Sequence, residues 1–246
     1  MTQGPVTLPQ METSSVRTVD NKPLHVGLMV PANNTTMERE LLAWLPAGSI
    51  CTTVRIPRGK GLLMPETMPA YKAQALALAA TFTDRDVDVV AYGCTAAGFI
   101  AGPAGEAELA GRIAEITGKP VVTTARAMVS ILQEVRAKEI ALLTPYPDRV
   151  NERLMVFLTD ADIRVRRLDS FRVDDVEELG RIRSDAVAER ARAVMDRGCD
   201  ALFIACSQLP TFDILDGLQA EFGRPAWSSI KATARQVCHA FDLRIG

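Results

Sequence analysis

The stretch Asp88-Val-Val-Ala-Tyr-Gly-Cys94-Thr95 returns later in the chain as Asp200-Ala-Leu-Phe-Ile-Ala-Cys206-Ser207. In each, an acidic residue opens a short apolar run that ends in a cysteine followed by a hydroxyl residue. A run this short and this apolar is the pattern of a strand buried on both faces, delivering a thiol at its carboxyl end. The echo continues downstream, where Gly118-Lys-Pro-Val-Val-Thr-Thr124 is answered by Gly223-Arg-Pro-Ala-Trp-Ser-Ser229. One half-molecule duplicated once accounts for both echoes, and two such strands suggest two thiols facing one substrate.

Outward from these strands, the chain alternates strand and helix. His25-Val-Gly-Leu-Met-Val-Pro31 reads as a first strand and 50–56 as a second, nearer an edge. Helical periodicity covers 37–44, 64–81, 106–116 and 125–135, with short strands at 120–123 and 139–144. The second half repeats the scheme, with helical segments at 150–158, 173–182, 186–197, 214–222 and 232–241 and strands at 163–168, 201–206 and 225–228. This alternation predicts an α/β fold with parallel sheets covered by helices. Residues 1–21 are polar, lack the basic and apolar regions of a signal peptide, and read as a disordered tail.

Composition narrows the function. The chain has 246 residues, 48% of them hydrophobic, enough for a packed core without staples. A formal net charge of −2, with no long basic run, leaves no footprint for nucleic acid or an anionic membrane. Arg164, Arg166 and Arg167 form the densest basic patch and read as a solvated face. No apolar run approaches the roughly 18 residues that span a bilayer, so a cytoplasmic protein is expected. Five cysteines at irregular spacings fit reduced thiols better than a disulfide framework. His25 and His239 have no second ligand at metal spacing, so no metal site is expected. Gly98, Gly102 and Gly105 miss the dinucleotide-binding spacing, so no nucleotide cofactor is expected.

The candidate site gathers at the carboxyl ends of the strands. Cys94 and Cys206 each precede a hydroxyl residue, Thr95 or Ser207, at a predicted helix mouth, where amides and the helix dipole favour thiolate. Cys51, Cys199 and Cys238 lack this setting and read as packing. After the first strand, Asn33-Asn-Thr-Thr36 serves either as a helix cap or as a carboxylate-binding loop with Asn34 and Thr35 as donors; one geometry suits both. Tyr146, between Pro145 and Pro147, either donates to a substrate oxygen or shields its loop. Gln208 follows the second thiol in a turn, and the turn-rich loop 57–61 could close over a site.

Two facing thiols suit two chemistries. In one, a thiolate removes a proton beside a carboxylate while the opposite thiol returns one. In the other, a thiolate adds to an electron-poor double bond, the resulting single bond rotates, and elimination yields the opposite alkene geometry. Neither needs a cofactor.

The motifs in their order resemble the aspartate/glutamate racemase superfamily, and within it the maleate isomerase and arylmalonate decarboxylase branch. Val30-Pro-Ala-Asn-Asn-Thr-Thr-Met-Glu38 is similar to that branch's first loop, Gly93-Cys94-Thr95 to its first thiol, Leu143-Thr-Pro-Tyr146 to its tyrosine loop, and Cys206-Ser-Gln-Leu-Pro210 to its second thiol. The resemblance implies two pseudo-symmetric, Rossmann-like α/β halves with the site between them, and a homodimer. On this chain the halves become residues 23–124 plus 229–246, carrying Cys94, and residues 125–228, carrying Cys206, behind a tail at 1–22. It implies Cys94 as nucleophile and Cys206 as acid/base, with Asn34 and Tyr146 holding carboxylates, aided by Thr95, Ser207 and neighbouring amides.

Within the branch, the resemblance separates the reactions at two positions. Decarboxylases have glycine where Cys94 stands, so Cys94 points to isomerase or racemase chemistry. Maleate isomerases carry a carboxylate-binding asparagine near the position of Val176, and valine there is closer to the decarboxylases. The leading expectation is therefore a cofactor-independent cis-trans isomerase of maleate or a related small unsaturated dicarboxylate. A two-thiol racemase or a decarboxylase of a substituted acid, and a non-catalytic carboxylate binder, are the alternatives.

Overall fold

The computed structural model describes residues 22–245; the proposed tail falls almost wholly outside the described residues. In chain order the elements are β1 (His25–Pro31), α1 (Met37–Trp44), β2 (Ile50–Ile56), α2 (Met68–Ala79), β3 (Val89–Tyr92), α3 (Thr95–Phe99), α4 (Gly102–Thr117), β4 (Val121–Thr123) and α5 (Thr124–Glu134). The second series runs β5 (Glu139–Thr144), α6 (Asp148–Thr159), β6 (Arg164–Ser170), α7 (Val176–Gly180), α8 (Ser184–Val194), β7 (Ala201–Ile204), α9 (Leu215–Phe222), β8 (Ala226–Ser228) and α10 (Ser229–His239). All strand pairs within the sheets are parallel, and the two four-stranded sheets repeat one order, β2-β1-β3-β4 and β6-β5-β7-β8. The duplication read from the thiol strands is thus a duplication of topology.

The echoed residues do echoed work. Asp88 Oδ2 accepts the His25 amide at 2.7 Å, and Asp200 Oδ2 accepts the Lys138 and Glu139 amides at 2.8 and 2.9 Å. Each acid thereby ties the start of a thiol strand to the start of its central neighbour. At the other end, the Gly93 amide donates to Met29 O and the Ala205 amide to Leu143 O. Strands β3 and β7 are buried along their whole length, as their unbroken apolar runs require. On the exposed edge strand β6, Arg164 and Arg166 pair with Glu139, and Arg166 also reaches Asp196 at 3.3 Å.

Several boundaries differ from the sequence reading. The helix expected from residue 106 begins at Gly102, preceded by the five-residue α3. Gly102 sits at φ +73°, a conformation glycine adopts without a Cβ clash, so the chain can break and restart there. The helix expected over 173–182 shrinks to α7, because Asp175 caps it by accepting the Glu177 and Glu178 amides. Residues before that cap pair with the loop after β2: Gly61 and Asp175 form an antiparallel bridge, and the Val176 amide donates to Lys60 O at 3.0 Å. Helix α10 packs against α1 and α5, carrying the end of the chain back onto the first sheet.

Candidate active site

Strands β3 and β7 stop two residues short of Cys94 and Cys206, and the backbone then turns both thiols into one cavity between the sheets. The approach beneath Cys94 is tight. A Cβ on Gly93 would lie 2.4 Å from Met37 Sδ and 2.9 Å from Val30 Cγ1, so any larger residue at this strand end must displace side chains packed under α1. Cys94 is the N-cap of α3 in extended conformation. Cys206 is followed by the expected turn at Gln208, so Ser207 does not sit at a helix mouth as Thr95 does; the next helix, α9, starts at Leu215.

Both thiols are buried and both are raised, which corrects the expectation of helix-stabilised thiolates. Burial pushes Cys94 up; the Ala97 amide, the Arg58 guanidinium and the Tyr71 phenol pull it partly back. Cys206 is pushed up to about 11 by burial, against the Gln208 amide, whose nitrogen lies 3.4 Å from Sγ, and the Tyr146 hydroxyl. The nearby Cys94 raises it further. In the free protein both groups are therefore mainly thiols at neutral pH, and partners in the site must lower the cost of making a thiolate.

Tyr146 lies close to both sulfurs. It is 4% exposed, its own pKa lies well above the ordinary value through burial, and its hydroxyl meets Cys206 and Thr95. Its loop is rigid for identifiable reasons. Asn151 Nδ2 and Ser170 Oγ both donate to Tyr146 O, at 2.9 and 2.6 Å, while Phe99 packs edge-on against the ring at a centroid distance of 5.6 Å. Tyr71 also lies near Cys94, with its hydroxyl buried and outside hydrogen-bond geometry to any described group.

The first loop forms the helix cap and also reaches the cavity. Asn34 Oδ1 accepts the Thr36 and Met37 amides, capping α1, while Nδ2 donates to Ser207 Oγ at 3.1 Å and the residue lines the cavity. Ser207 Oγ in turn donates to Gly93 O at 2.7 Å, so a chain of hydrogen bonds crosses between the halves at the thiols. Thr95, Ser207 and Gln208 also line the cavity; Thr95 Oγ1 donates to Ser229 Oγ at 3.1 Å. Thr35 does not join them. It is exposed, and its amide and hydroxyl are bound to the Gln208 side chain at 3.0 Å each, which makes it a brace for Gln208.

Other lining residues were not named singly in the sequence reading, although Asn33 and Arg58 lie in loops that it singled out. Asn33, Arg58, Leu62, Leu63 and Leu179 reach the inner cavity, which holds only about 30 Å³, whereas Val176 does not. An outer cavity of about 360 Å³ shares Arg58, Leu62 and Leu63 and adds Tyr71. The rule that ligands of open α/β sheets collect beyond the carboxyl ends of strands was the available signal for Arg58, two residues past β2. Nothing in local periodicity marks Leu179 or Tyr71. Among the described residues, no group of three or more His, Cys, Asp or Glu is gathered as a metal would require.

The arylmalonate decarboxylase family model matches residues 26–244. The chain belongs to the arylmalonate decarboxylase family. Among this family member's relatives, the maleate isomerase of Nocardia farcinica is 28% identical over 228 residues, spanning 89% of this chain and 91% of its own. The arylmalonate decarboxylase of Bordetella bronchiseptica is 27% identical over 176 residues, 71% of this chain and 73% of its own. A solved structure of Nocardia farcinica maleate cis-trans isomerase, a cysteine-to-serine mutant with a covalently bound succinylcysteine intermediate, superposes with a TM-score of 0.83. It is 26% identical and covers 90% of this chain and 94% of that one.

Proposed function

We propose that this protein interconverts the cis and trans forms of maleate or a related small unsaturated dicarboxylate through a covalent adduct on Cys94. The observation that carries the reading is the pair of buried thiols, Cys94 and Cys206, turned into one cavity with Tyr146 close to both. Support also comes from the related maleate isomerases, one of them captured as a succinylcysteine.

Cys94 reacts as the thiolate, its proton released to solvent. The sulfur bonds to one alkene carbon, and the π pair moves to the other, where the adjoining carboxylate delocalises it. Tyr146, Thr95 and the backbone amides near Ser207 are the donors for that developing charge. Cys206 gives its proton to the carbanion. Rotation about the new C–C single bond follows; Cys206 thiolate then removes the proton, the pair re-forms the double bond, and the C–S bond breaks to return Cys94 thiolate. The cycle has no net redox change and calls for no cofactor.

A proton NMR time course with maleate in deuterated buffer under reducing conditions tests this. Fumarate vinyl signal should appear and be absent with Cys94→Ala; no fumarate with the wild-type protein overturns maleate as substrate. The apolar wall of Leu62, Leu63 and Leu179 favours a second reading, a racemase or decarboxylase of a substituted acid. Deuterium entering the α-carbon without alkene isomerisation would select it.

A homodimer, a cytoplasmic location and a division into residues 23–124 with 229–246 and residues 125–228 belong to the same proposal. The division is supported by one four-stranded sheet in each part and by α10 packing against α1. Among the described residues no helix is long and apolar enough to cross a membrane.

A further inference from the structure

A dicarboxylate brings two negative charges, and Arg58 is the one charged residue among those lining the inner cavity. Its guanidinium is only partly committed elsewhere. Nη2 donates to Gly61 O at 2.6 Å within its own loop, Nε is buried without a hydrogen-bond partner, and no carboxylate among the described residues pairs with it. An arginine planted in a largely apolar site with a buried donor unused is incomplete, because a desolvated N–H retains the full cost of lost water until an acceptor arrives. A carboxylate is the acceptor whose planar geometry matches the guanidinium fork.

The placement of this side chain is built. Arg58 lies two residues beyond the carboxyl end of β2, on the side of the sheet where Cys94 emerges. Its loop is fastened to the opposite half by the Gly61–Asp175 bridge and by the Val176 amide to Lys60 O. The segment around Val176 therefore contributes backbone that anchors the arginine loop, and not a polar side chain of its own. Asn34 and Tyr146, which line the same cavity, are neutral donors that suit the other end of a substrate.

We propose that Arg58 binds the second carboxylate of the substrate, making the site selective for dicarboxylates over monocarboxylates. The assignment rests on the reading of the site as one for small dicarboxylates. Arg58 faces both that carboxylate and the Cys94 sulfur, whose thiolate it favours. Substrate binding and nucleophile activation thus share one cation.

Isothermal titration of the full chain with succinate, a saturated dicarboxylate that cannot react, and with butyrate separates this inference from the reaction. Arg58→Gln should weaken succinate about ten- to a hundredfold and leave butyrate within about twofold. Arg58→Lys, which keeps the charge and loses the fork, should fall between. Equal succinate affinity in wild type and Arg58→Gln, or no succinate binding by wild type, overturns the assignment. Fumarate formation by a wild type in which Arg58→Gln changes nothing would leave the isomerase reading standing and remove Arg58. Succinate binding lost in Arg58→Gln, with no turnover of maleate by wild type, would do the reverse.

Discussion

Cys94 and Cys206 end equivalent strands of a repeated fold, yet the backbone leaves them differently. Cys94 starts a helix, follows a glycine packed tightly under α1, and has Arg58 and Tyr71 beside it. Cys206 starts a turn, follows an alanine, and is served by the Gln208 amide and Tyr146. A cation on one side and neutral donors on the other is how two chemically identical groups become different: the first is better suited to carry charge as a nucleophile, the second to hold a proton.

Substituting the thiols gives the largest expected effect. Cys94→Ala should lose turnover of maleate by more than about a thousandfold with the fold intact by circular dichroism. Cys206→Ser should instead retain addition at Cys94, visible in intact-protein mass spectrometry as a gain of one maleic acid. An adduct in Cys94→Ala, carried on Cys206, would exchange the two roles.

The tyrosines sharpen the contrast. Tyr146 lines the inner cavity and touches Cys206 and Thr95, so Tyr146→Phe should cost about a hundredfold in kcat. Tyr71 lines the outer cavity and only assists Cys94, so Tyr71→Phe should cost at most about tenfold. Steady-state kinetics of both variants decide this, and a larger loss from Tyr71→Phe would put the developing charge on the wrong side of the site.

Smaller effects follow from the raised thiols. A pKa raised by burial means less thiolate at any given pH, so alkylation by iodoacetamide should climb about tenfold per pH unit from neutrality upward. For Cys206 the climb should continue towards pH 11, the value to which burial lifts it. Peptide mapping of the alkylated cysteines checks this, and a plateau below pH 8 at either residue contradicts the burial argument. The smallest changes test the residues before the thiols. Gly93→Ala should lower stability by about 1–3 kcal/mol through overpacking against Met37 and Val30. Ala205→Gly, at the matching place, should cost about 1 kcal/mol through backbone entropy and a lost methyl. Urea denaturation midpoints give both.

How much of this was legible beforehand depends on the range of the interaction. Alternation of apolar strands and helices is a local property, so parallel sheets, the duplication and both thiol strands could be read directly, as could Tyr146 between its prolines. Boundaries set by single capping groups were less visible: Asp175 shortens α7, and Gly102 splits α3 from α4. Thr35 was misplaced because a polar loop does not announce which side chain turns inward; only the hydrogen bonds to Gln208 determine that it faces out.

By itself, the chain's order of residues determined the class of fold, the repeat and the presence of two candidate thiols, because each follows from periodicities and motifs spanning a few residues. Tertiary structure alone decided that the two thiols share one cavity, that burial raises them both, and that Arg58 from a loop and Leu179 from α7 join them from far apart in sequence. Desolvation and the meeting of distant side chains are properties of the packed volume, and no local stretch of sequence contains them.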